Sequence, residues 1–422
     1  MKYRIQTIET PFRATVSVPG SKSCTHRMLI AAALSGGRCR IENALDSDDT
    51  RLTAGALDLM GASFVWEGDR VTVDGCGAQL RRVYSDIDLR HSGTSMRLLT
   101  AVAALGRHRY TLTGSRRMQE RPIQSLLDSL VQIGVAARSK KENGCPPVEI
   151  CGPPTAAGAV TVDCRTSSQY LSALMLVAPC VRGGLDLKVV QGPVSRPYVD
   201  MTEDVMRAFG VPVERSGYDR FAISGNQTYR SGDYRVEPDA SQAGYFWTAA
   251  AVAGGTVTVE GIETGSVQGD MGLLHLLEKM GSRVERNAAG ITVAGGKLKA
   301  IEADMADMPD AVPTIAVAAA FAAGTSRLGN VGHLALKESN RLEAVINELN
   351  RMHIAAKLDR HDLVIQGGRP TGAVIRTYND HRIAMSFAIA GLRVPGVVIR
   401  DPGCVRKSFP RFWEVFEELY QT

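Results

Sequence analysis

The amino-acid sequence predicts an α/β protein of two domains, each built from three repeats of one unit: strand, helix, strand, helix, strand, strand. Three observations lead to this prediction. Six helices rich in small apolar residues recur roughly 70 residues apart along the chain. Six amphipathic helices alternate with them, and short strands with alternating polar and apolar residues lie between the helices.

The first set of helices is apolar on every side, which is typical of helices that are buried all round. The body of the first one, residues 28–34, follows a polar stretch, and we expect only its charged start, with Lys22 and Arg27, to be exposed. The other five predicted buried helices span residues 93–105, 168–180, 241–253, 311–323 and 380–392.

The second set of helices carries its charges on one side, which predicts a position at the surface of each domain. These helices span residues 48–60, 122–133, 197–209, 270–280, 338–352 and 409–419. The sixth unit has no closing strands after its last helix, and we expect the N-terminal strands, 3–8 and 14–18, to supply them. The prediction is therefore one domain of residues 1–19 and 238–422, and an inserted domain of residues 20–237.

The composition indicates which classes of molecule this protein binds. A net charge of +5 over 422 residues suits small anionic substrates, and the chain lacks the basic runs with aromatic residues that indicate nucleic-acid binding. The eight cysteines include no C-x-x-C pair, so neither a zinc site nor a disulfide framework is predicted. No segment resembles a signal peptide or a membrane span. We expect a cytoplasmic protein, active as a monomer, with no membrane or nucleic-acid partner.

The polar residues before the buried helices are the candidate binding residues. If three such helices pack side by side in each domain, their N-termini lie at one end of it and face the cleft between the domains. Helix N-termini, hydroxyls and guanidinium groups bind phosphate and carboxylate oxygens. The residues at these starts are Lys22, Ser23, Arg27, Ser92, Gly93, Thr94, Arg97, Ser167, Ser168, Gln169, Asp239, Ser241, Asp310, Asp380, His381 and Arg382.

Four further loops carry charge near the same ends. They contribute Arg121, Ser195 with Tyr198, Lys337 with Glu338 and Arg341, and Lys407. Arg121 precedes a predicted helix start, where an anion is held favourably. We expect Lys337 and Arg341, four residues apart, to lie on one face of a helix.

Eight motifs in the same order resemble those of the 5-enolpyruvylshikimate-3-phosphate synthases, a family of the enolpyruvyl transferase superfamily. They are Pro-Gly-Ser-Lys-Ser at 19–23, Ser-Gly-Thr-Ser-Met-Arg at 92–97, Arg-Met-Gln-Glu-Arg-Pro at 117–122, Ser-Ser-Gln at 167–169, Pro-Asp at 309–310, Lys-Glu at 337–338, Asn-Asp-His-Arg at 379–382 and Lys-Ser-Phe-Pro at 407–410. The resemblance covers the whole chain. It implies an inside-out α/β barrel in each domain, with parallel buried helices and outer sheets.

The resemblance also implies a reaction. The enolpyruvyl group of phosphoenolpyruvate would be transferred to the 5-hydroxyl of shikimate 3-phosphate, with release of phosphate and without a metal or organic cofactor. This is a step of the shikimate pathway, which leads to chorismate and the aromatic amino acids. Because Gly93 leaves the phosphoenolpyruvate pocket unobstructed, we also expect inhibition by glyphosate.

The same resemblance assigns site residues. Shikimate 3-phosphate falls to Lys22, Ser23, Arg27, Ser167, Ser168, Gln169, Ser195, Tyr198, Asp310 and Lys337. Phosphoenolpyruvate falls to Lys22, Gly93, Arg121, Gln169, Arg341, Arg382 and Lys407. The groups available for proton transfer are Lys22, Asp310, Glu338 and His381. Our preferred hypothesis places Asp310 next to the hydroxyl and Glu338 next to the methylene carbon, with Lys22 shuttling a proton or stabilising charge.

Two residues depart from the family pattern, and two other functions stay open. His91 and His333 stand where the family commonly has Asn. The sister enzyme, which transfers enolpyruvyl to UDP-N-acetylglucosamine, carries a Cys in the loop equivalent to 114–121 and a Lys-Asn pair near the first helix, and this chain has neither. A non-catalytic module that binds anions or RNA ends would gain nothing from the carboxylates Asp310 and Glu338.

Overall fold

The computed structural model describes residues 1–9 and 11–421, which form two compact units. One unit, here called the terminal unit, comprises Met1–Pro19 and Glu237–Thr422. The other, the inserted unit, is Gly20–Val236. The first two strands, β1 (Lys2–Arg4) and β2 (Arg13–Val16), belong to the terminal unit.

The inserted unit contains six α-helices around a core of small apolar side chains. Helices α1 to α6 span Lys22–Ala33, Asp48–Met60, Gly93–Ala103, Gln124–Gln132, Gln169–Val177 and Pro197–Ala208. Helices α1, α3 and α5 are buried on almost every side and pack against one another. Helices α2, α4 and α6 bury one face only, as their amphipathic sequences predict.

Three four-stranded sheets cover this helical core. Strands β3 to β14 span Arg38–Glu42, Ser63–Glu67, Arg70–Asp74, Ile87–Asp88, Arg109–Thr113, Ala136–Ser139, Val148–Cys151, Gly158–Asp163, Leu185–Gln191, Glu214–Ser216, Arg220–Ile223 and Asp233–Arg235. The strand orders are β14-β3-β5-β4, β6-β7-β9-β8 and β10-β11-β13-β12. Residues alternate between buried and exposed along β3, so one face of its sheet packs on the helices.

The terminal unit repeats this architecture. Helices α7 to α12 span Ala240–Ala253, Gly272–Met280, Val312–Ala320, Arg341–Arg351, His381–Gly391 and Phe412–Glu417. Strands β15 to β23 span Thr256–Glu260, Arg283–Asn287, Gly290–Ala294, Glu302–Asp304, Thr325–Gly329, Ala356–Asp359, Asp362–Gln366, Val374–Ile375 and Val398–Arg400. Helices α7, α9 and α11 are the buried ones, and they pack together.

Seven short 3-10 helices complete the described structure. They span Met118–Glu120, Ala178–Cys180, Gly269–Met271, Pro309–Ala311, Gly332–Leu336, Pro402–Lys407 and Glu418–Tyr420. No helix of the described ranges has both the length and the apolar character that crossing a membrane requires.

The chain passes from one unit to the other twice, at residues 19–20 and 236–237, and at both places a strand pairs outside its own repeat. Strand β2 precedes α1 in the chain but pairs in parallel with β15, whereas β14 precedes α7 but pairs in parallel with β3. The expectation that both N-terminal strands close the last repeat is therefore wrong. Only β1 joins the last sheet, of order β1-β23-β22, and β2 completes β16-β17-β15-β2. The reason is that β14 pairs with β3, which leaves the edge of β15 without a partner strand. Strand β2 pairs with that edge instead.

The start of the inserted unit depends on a glycine. A Cβ on Gly20 would lie 1.8 Å from the backbone oxygen of Asn43, which cannot move without displacing the end of β3. We expect Gly20→Ala to lower the free energy of unfolding by about 1–3 kcal/mol, the usual cost of overpacking. Gly55→Ala is the matched control, because a Cβ there meets nothing within 4 Å and lies in helix α2. Chemical denaturation of both variants measures the difference, and equal stabilities would contradict the prediction.

Candidate active site

Lys22 is the first residue of α1, whose N-terminus is capped by Ser21. Its Nζ lies 3.4 Å from Oδ2 of Asp49, in the first turn of α2. Lys22 and Arg27 are 8% and 1% exposed, so the expectation of an exposed charged start is wrong. The charges tolerate burial because Asp49 pairs with the ammonium group and several oxygens accept from the guanidinium.

Arg27 is a buried cation held by neutral acceptors. Its Nε donates to Oγ1 of Thr202 at 2.7 Å, and its Nη atoms donate to the carbonyls of Ser23 and Tyr198 at 2.8 and 3.0 Å. Burial lowers the pKa of Arg27 to about 10, which leaves it charged at neutral pH. Within residues 1–9 and 11–421, no carboxylate oxygen lies within 4 Å of this guanidinium. The site therefore has a surplus of positive charge, which suits a phosphate or carboxylate ligand.

The guanidinium of Arg121 lies directly over Gly93, the first residue of α3. A Cβ on Gly93 would be 2.3 Å from Nη1 of Arg121. Arg121 is 6% exposed and follows the 3-10 helix Met118–Glu120, whereas α4 begins only at Gln124. The expected position of Arg121 at a helix start is thus wrong, because Pro122 and the residue after it stay outside the helix.

Helix α5 links its start to that of α3. The side-chain Nε2 of Gln169 donates to Oγ1 of Thr94 at 3.1 Å, and the backbone N–H of Gln169 donates to Oγ of Ser167 at 3.2 Å. The buried hydroxyl of Ser168 makes no capping hydrogen bond. Ser195, just before α6, is buried with a φ of 56°, a strained conformation for a residue other than glycine.

In the terminal unit, the guanidinium of Arg341 is the centre of a buried ionic cluster. Its Nε donates to Oδ2 of Asp380 at 2.8 Å, its Nη1 to Oδ1 of Asp310 at 2.7 Å, and its Nη2 to Oε2 of Glu338 at 2.6 Å. Arg341 is 1% exposed. Burial alone would lower the pKa of Arg341, but these carboxylates outweigh burial and raise it above its ordinary value.

Arg382 and Lys407 extend this cluster. Nη2 of Arg382 donates to Oδ2 of Asp310 at 2.6 Å, and Nη1 donates to the hydroxyl of Tyr245 at 3.2 Å. Nζ of Lys407 lies 3.4 Å from Oε1 of Glu338. The structure thus brings Asp310, Glu338 and three of the predicted cations together within the terminal unit.

Lys337 and His381 are adjacent in sequence to Glu338 and Asp380, which both belong to the cluster. Lys337 follows the 3-10 helix Gly332–Leu336, and α10 begins only at Arg341, so the expectation that both lie on one helix face is wrong. Asn340 caps the N-terminus of α10, so the helix begins three residues later than the sequence periodicity indicates. His381 is fully buried in the first turn of α11, and its Nδ1 lies 3.7 Å from Oδ1 of Asp380.

The partly exposed Asp310 and the buried Asp270 have opposite protonation tendencies. Burial alone would raise the pKa of Asp310, but Arg382, Arg341 and Lys337 outweigh it and hold the pKa well below the ordinary range. Burial, followed by the charge of Asp310, raises the pKa of Asp270 to about 7. Neighbouring carboxyls with pKa values pushed apart are typical of sites where protons are transferred.

The two histidines that depart from the family pattern lie in different environments. His91 is exposed. His333 is largely buried, and burial, followed by the charge of Lys337, lowers its pKa to about 4. Its imidazole is therefore neutral at physiological pH, and Nε2 has no hydrogen-bond partner within residues 1–9 and 11–421.

Sequence reasoning missed Asp49 and Asp270. Nothing in the sequence separates Asp49 from its neighbours Asp46 and Asp48, because all three fit the start of an amphipathic helix. Asp270 was predicted only as the start of a surface helix, whereas it lies in the 3-10 helix Gly269–Met271, is 5% exposed and accepts from Oγ of Ser241. Only the packing of that segment against α7 reveals its burial.

Comparisons with known proteins agree with this architecture. The EPSP synthase (3-phosphoshikimate 1-carboxyvinyltransferase) family model matches residues 6–416. A 3-phosphoshikimate 1-carboxyvinyltransferase of Syntrophobacter fumaroxidans is 41% identical over 98% of this chain and 99% of its own length. One of Methanoculleus marisnigri is 42% identical over 96% of each chain.

Two solved structures share the fold. The EPSP synthase of Acinetobacter baumannii superposes with a TM-score of 0.82 at 28% identity, over 99% of this chain and 98% of that one. An enolpyruvyl transferase of Streptomyces tendae has a TM-score of 0.79 at 21% identity, over 99% and 96% of the two chains. The fold is therefore that of the enolpyruvyl transferases, which confirms the predicted fold class.

Within this class, the chain belongs to the EPSP synthase family. The match to the family model and the two relatives together cover nearly all of the sequence. The resemblance that the eight motifs indicate is thereby confirmed.

The raised pKa of Asp270 predicts a pH-dependent stability. Because the folded-state pKa lies above that of the unfolded chain, the contribution of Asp270 is present at low pH and is lost as the pH rises towards 7. The loss is about 1.4 kcal/mol for each unit of pKa shift. As the pH rises from about 5 to about 8, we expect the free energy of unfolding to fall less for Asp270→Asn than for the unchanged protein.

Thermal unfolding at several pH values checks this prediction, with the exposed Glu302→Gln as the control. Asp310 does not interfere, since its lowered pKa makes its contribution constant above pH 5. Parallel stability curves for Asp270→Asn and the unchanged protein would contradict it.

Proposed function

We propose that this chain transfers the enolpyruvyl group of phosphoenolpyruvate to the 5-hydroxyl of shikimate 3-phosphate and releases phosphate. The observation that carries the proposal is the cluster in which Asp310 and Glu338 both accept from Arg341, next to Arg382 and Lys407. Such a cluster offers cations for an anionic substrate and carboxylates for proton transfer at the same place. Membership of the EPSP synthase family supports the same reaction.

We propose that both units contribute residues that bind the two substrates. In the inserted unit, shikimate 3-phosphate binds Lys22, Ser23, Arg27, Ser167, Ser168, Gln169, Ser195 and Tyr198, and in the terminal unit Asp310 and Lys337. Phosphoenolpyruvate binds Lys22, Gly93, Arg121 and Gln169 from one unit and Arg341, Arg382 and Lys407 from the other. Two anions that meet at one place need fixed cations to offset their repulsion.

The chemistry needs one proton removed from the attacking hydroxyl and one delivered to the methylene carbon. Asp310 accepts the hydroxyl proton, and Glu338 delivers the proton to the methylene carbon. In the substrate-free protein, Arg382 and Arg341 hold Asp310 ionised and weakly basic. When the anionic groups of phosphoenolpyruvate share those cations, the pKa of Asp310 rises, so its basicity increases only in the substrate complex. Lys22 shuttles a proton or stabilises developing charge, and His381 is the remaining group available for proton transfer.

The sister reaction on UDP-N-acetylglucosamine is the alternative from the same superfamily. The family match and the surplus charge around Arg27, which suits the phosphate of a small substrate, favour shikimate 3-phosphate. We propose a monomer that acts in the cytoplasm, with these two small anions as its partners.

The first test is phosphate release from phosphoenolpyruvate by the purified protein. We expect release with shikimate 3-phosphate and none with UDP-N-acetylglucosamine, and we expect glyphosate to compete with phosphoenolpyruvate because Gly93 has no side chain that would displace the guanidinium of Arg121. Release with the nucleotide sugar alone would overturn the substrate assignment. No release with either acceptor would overturn the proposed reaction.

The second test concerns the two carboxylates. We expect Asp310→Asn and Glu338→Gln each to lower kcat by about 10²- to 10⁴-fold, the usual contribution of a general acid or base. Steady-state kinetics measures the loss, and Glu302→Gln serves as the exposed control in the same unit. Because Asp310 also pairs with Arg341 and Arg382, thermal unfolding of each variant must establish that it is folded. A folded variant with an unchanged kcat would remove that residue from the mechanism.

A further inference from the structure

The segment that leads into α11 contains two consecutive residues in an uncommon backbone conformation. Tyr378 and Asn379 have φ values of 53° and 54°, a left-handed region that few residues other than glycine adopt. The next residues are Asp380, which caps α11, and then His381 and Arg382. The backbone conformation of this strained pair therefore sets the positions from which the side chains of Asp380, His381 and Arg382 project. Such strain persists only where the surrounding structure holds it in place.

A buried carboxylate on α10 holds this segment. Glu348 is 0% exposed, and its Oε1 accepts from the hydroxyl of Tyr378 at 2.8 Å. Its Oε2 accepts from the backbone N–H of Arg376 at 3.0 Å and from Nε of Arg351 at 3.0 Å. Two of the three contacts thus hold the segment itself, one at its backbone and one at the first strained residue.

The same helix holds the other end of the segment. Arg341 and Glu348 are seven residues apart on α10, which places them on one face about two turns apart. Arg341 donates to Oδ2 of Asp380, whose Oδ1 in turn accepts from the backbone N–H of Arg382 at 3.0 Å. One face of α10 therefore holds residues 376–382 at both ends, and the segment lies along the helix.

We propose that Glu348 is a positioning residue for the candidate active site. It holds the strained pair Tyr378–Asn379 so that α11 begins with Arg382 directed at Asp310 and Asp380 directed at Arg341. Glu348 acts through these residues and touches no substrate. The part of the proposal that concerns catalysis rests on the proposed function, in which Arg341 and Arg382 bind phosphoenolpyruvate.

The first variant is Glu348→Gln, which keeps the shape of the side chain but removes its charge and one acceptor oxygen. We expect the KM for phosphoenolpyruvate to rise at least about tenfold, because small displacements of binding groups weaken binding strongly. The matched control is Glu343→Gln, the same change on an exposed position of α10, for which we expect an unchanged KM.

A second substitution separates positioning from general stability. Asn379→Gly removes the cost of the left-handed conformation, so in the Glu348→Gln background we expect it to restore most of the lost affinity. Asn379→Ala, which raises that cost, should increase the KM in the otherwise unchanged protein. An unchanged KM in Glu348→Gln, or a raised KM that Asn379→Gly leaves unrestored, would overturn the proposal.

Hydrogen exchange gives a readout that does not depend on the reaction. We expect the amide of Arg376 and its neighbours to exchange faster in Glu348→Gln than in Glu343→Gln, because the acceptor of that N–H is weakened. Equal exchange would overturn the proposal even if the kinetics changed. If the unchanged protein released no phosphate while exchange differed as expected, the proposed function would fail and the positioning by Glu348 would stand.

Discussion

The terminal unit depends on the compensation of one buried charge, the guanidinium of Arg341. An arginine that is 1% exposed would be strongly unfavourable if it were unpaired. Its three carboxylate partners come from three different segments: Asp310 from the 3-10 helix before α9, Glu338 from the loop before α10, and Asp380 from the cap of α11. Pairing this charge therefore fixes the relative positions of three segments at once, and loss of any one partner would leave an uncompensated charge.

The two units solve the problem of buried charge differently. The inserted unit surrounds Arg27 with hydroxyl and carbonyl oxygens, so its positive charge is solvated but not neutralised. The terminal unit neutralises Arg341 and Arg382 with carboxylates. A phosphate can add to the first arrangement directly, whereas an anion at the second must share cations with Asp310 and Glu338. Under the proposed function, that competition couples substrate binding to the protonation of the carboxylates.

Particular residues show how far sequence reasoning extends. The repeat, the buried helices and the family motifs were predicted because they depend on periodicity and local order, and helix α2 begins and ends where expected. Four expectations were wrong. Lys22 and Arg27 are buried, Arg121 does not lie at the start of α4, Lys337 lies outside α10, and β2 pairs with β15. The errors on Lys22 and β2 arise because each has a partner that is distant in sequence, Asp49 and β15 respectively. The errors on Arg121 and Lys337 arise because α4 and α10 begin two and three residues later than the sequence predicts.

The sequence by itself determined the alternation of buried and amphipathic helices, the number of repeats and the family, since these follow from side-chain periodicity and from residue order. Only the tertiary structure decided which charges are paired. It placed Asp310, Glu338 and Asp380 on Arg341, buried Asp270 against Ser241, and set Glu348 beneath the strained turn before α11. The physical reason is that the protonation and strength of a charged group depend on burial and on neighbours within a few ångströms, and those neighbours come from separate segments of the chain.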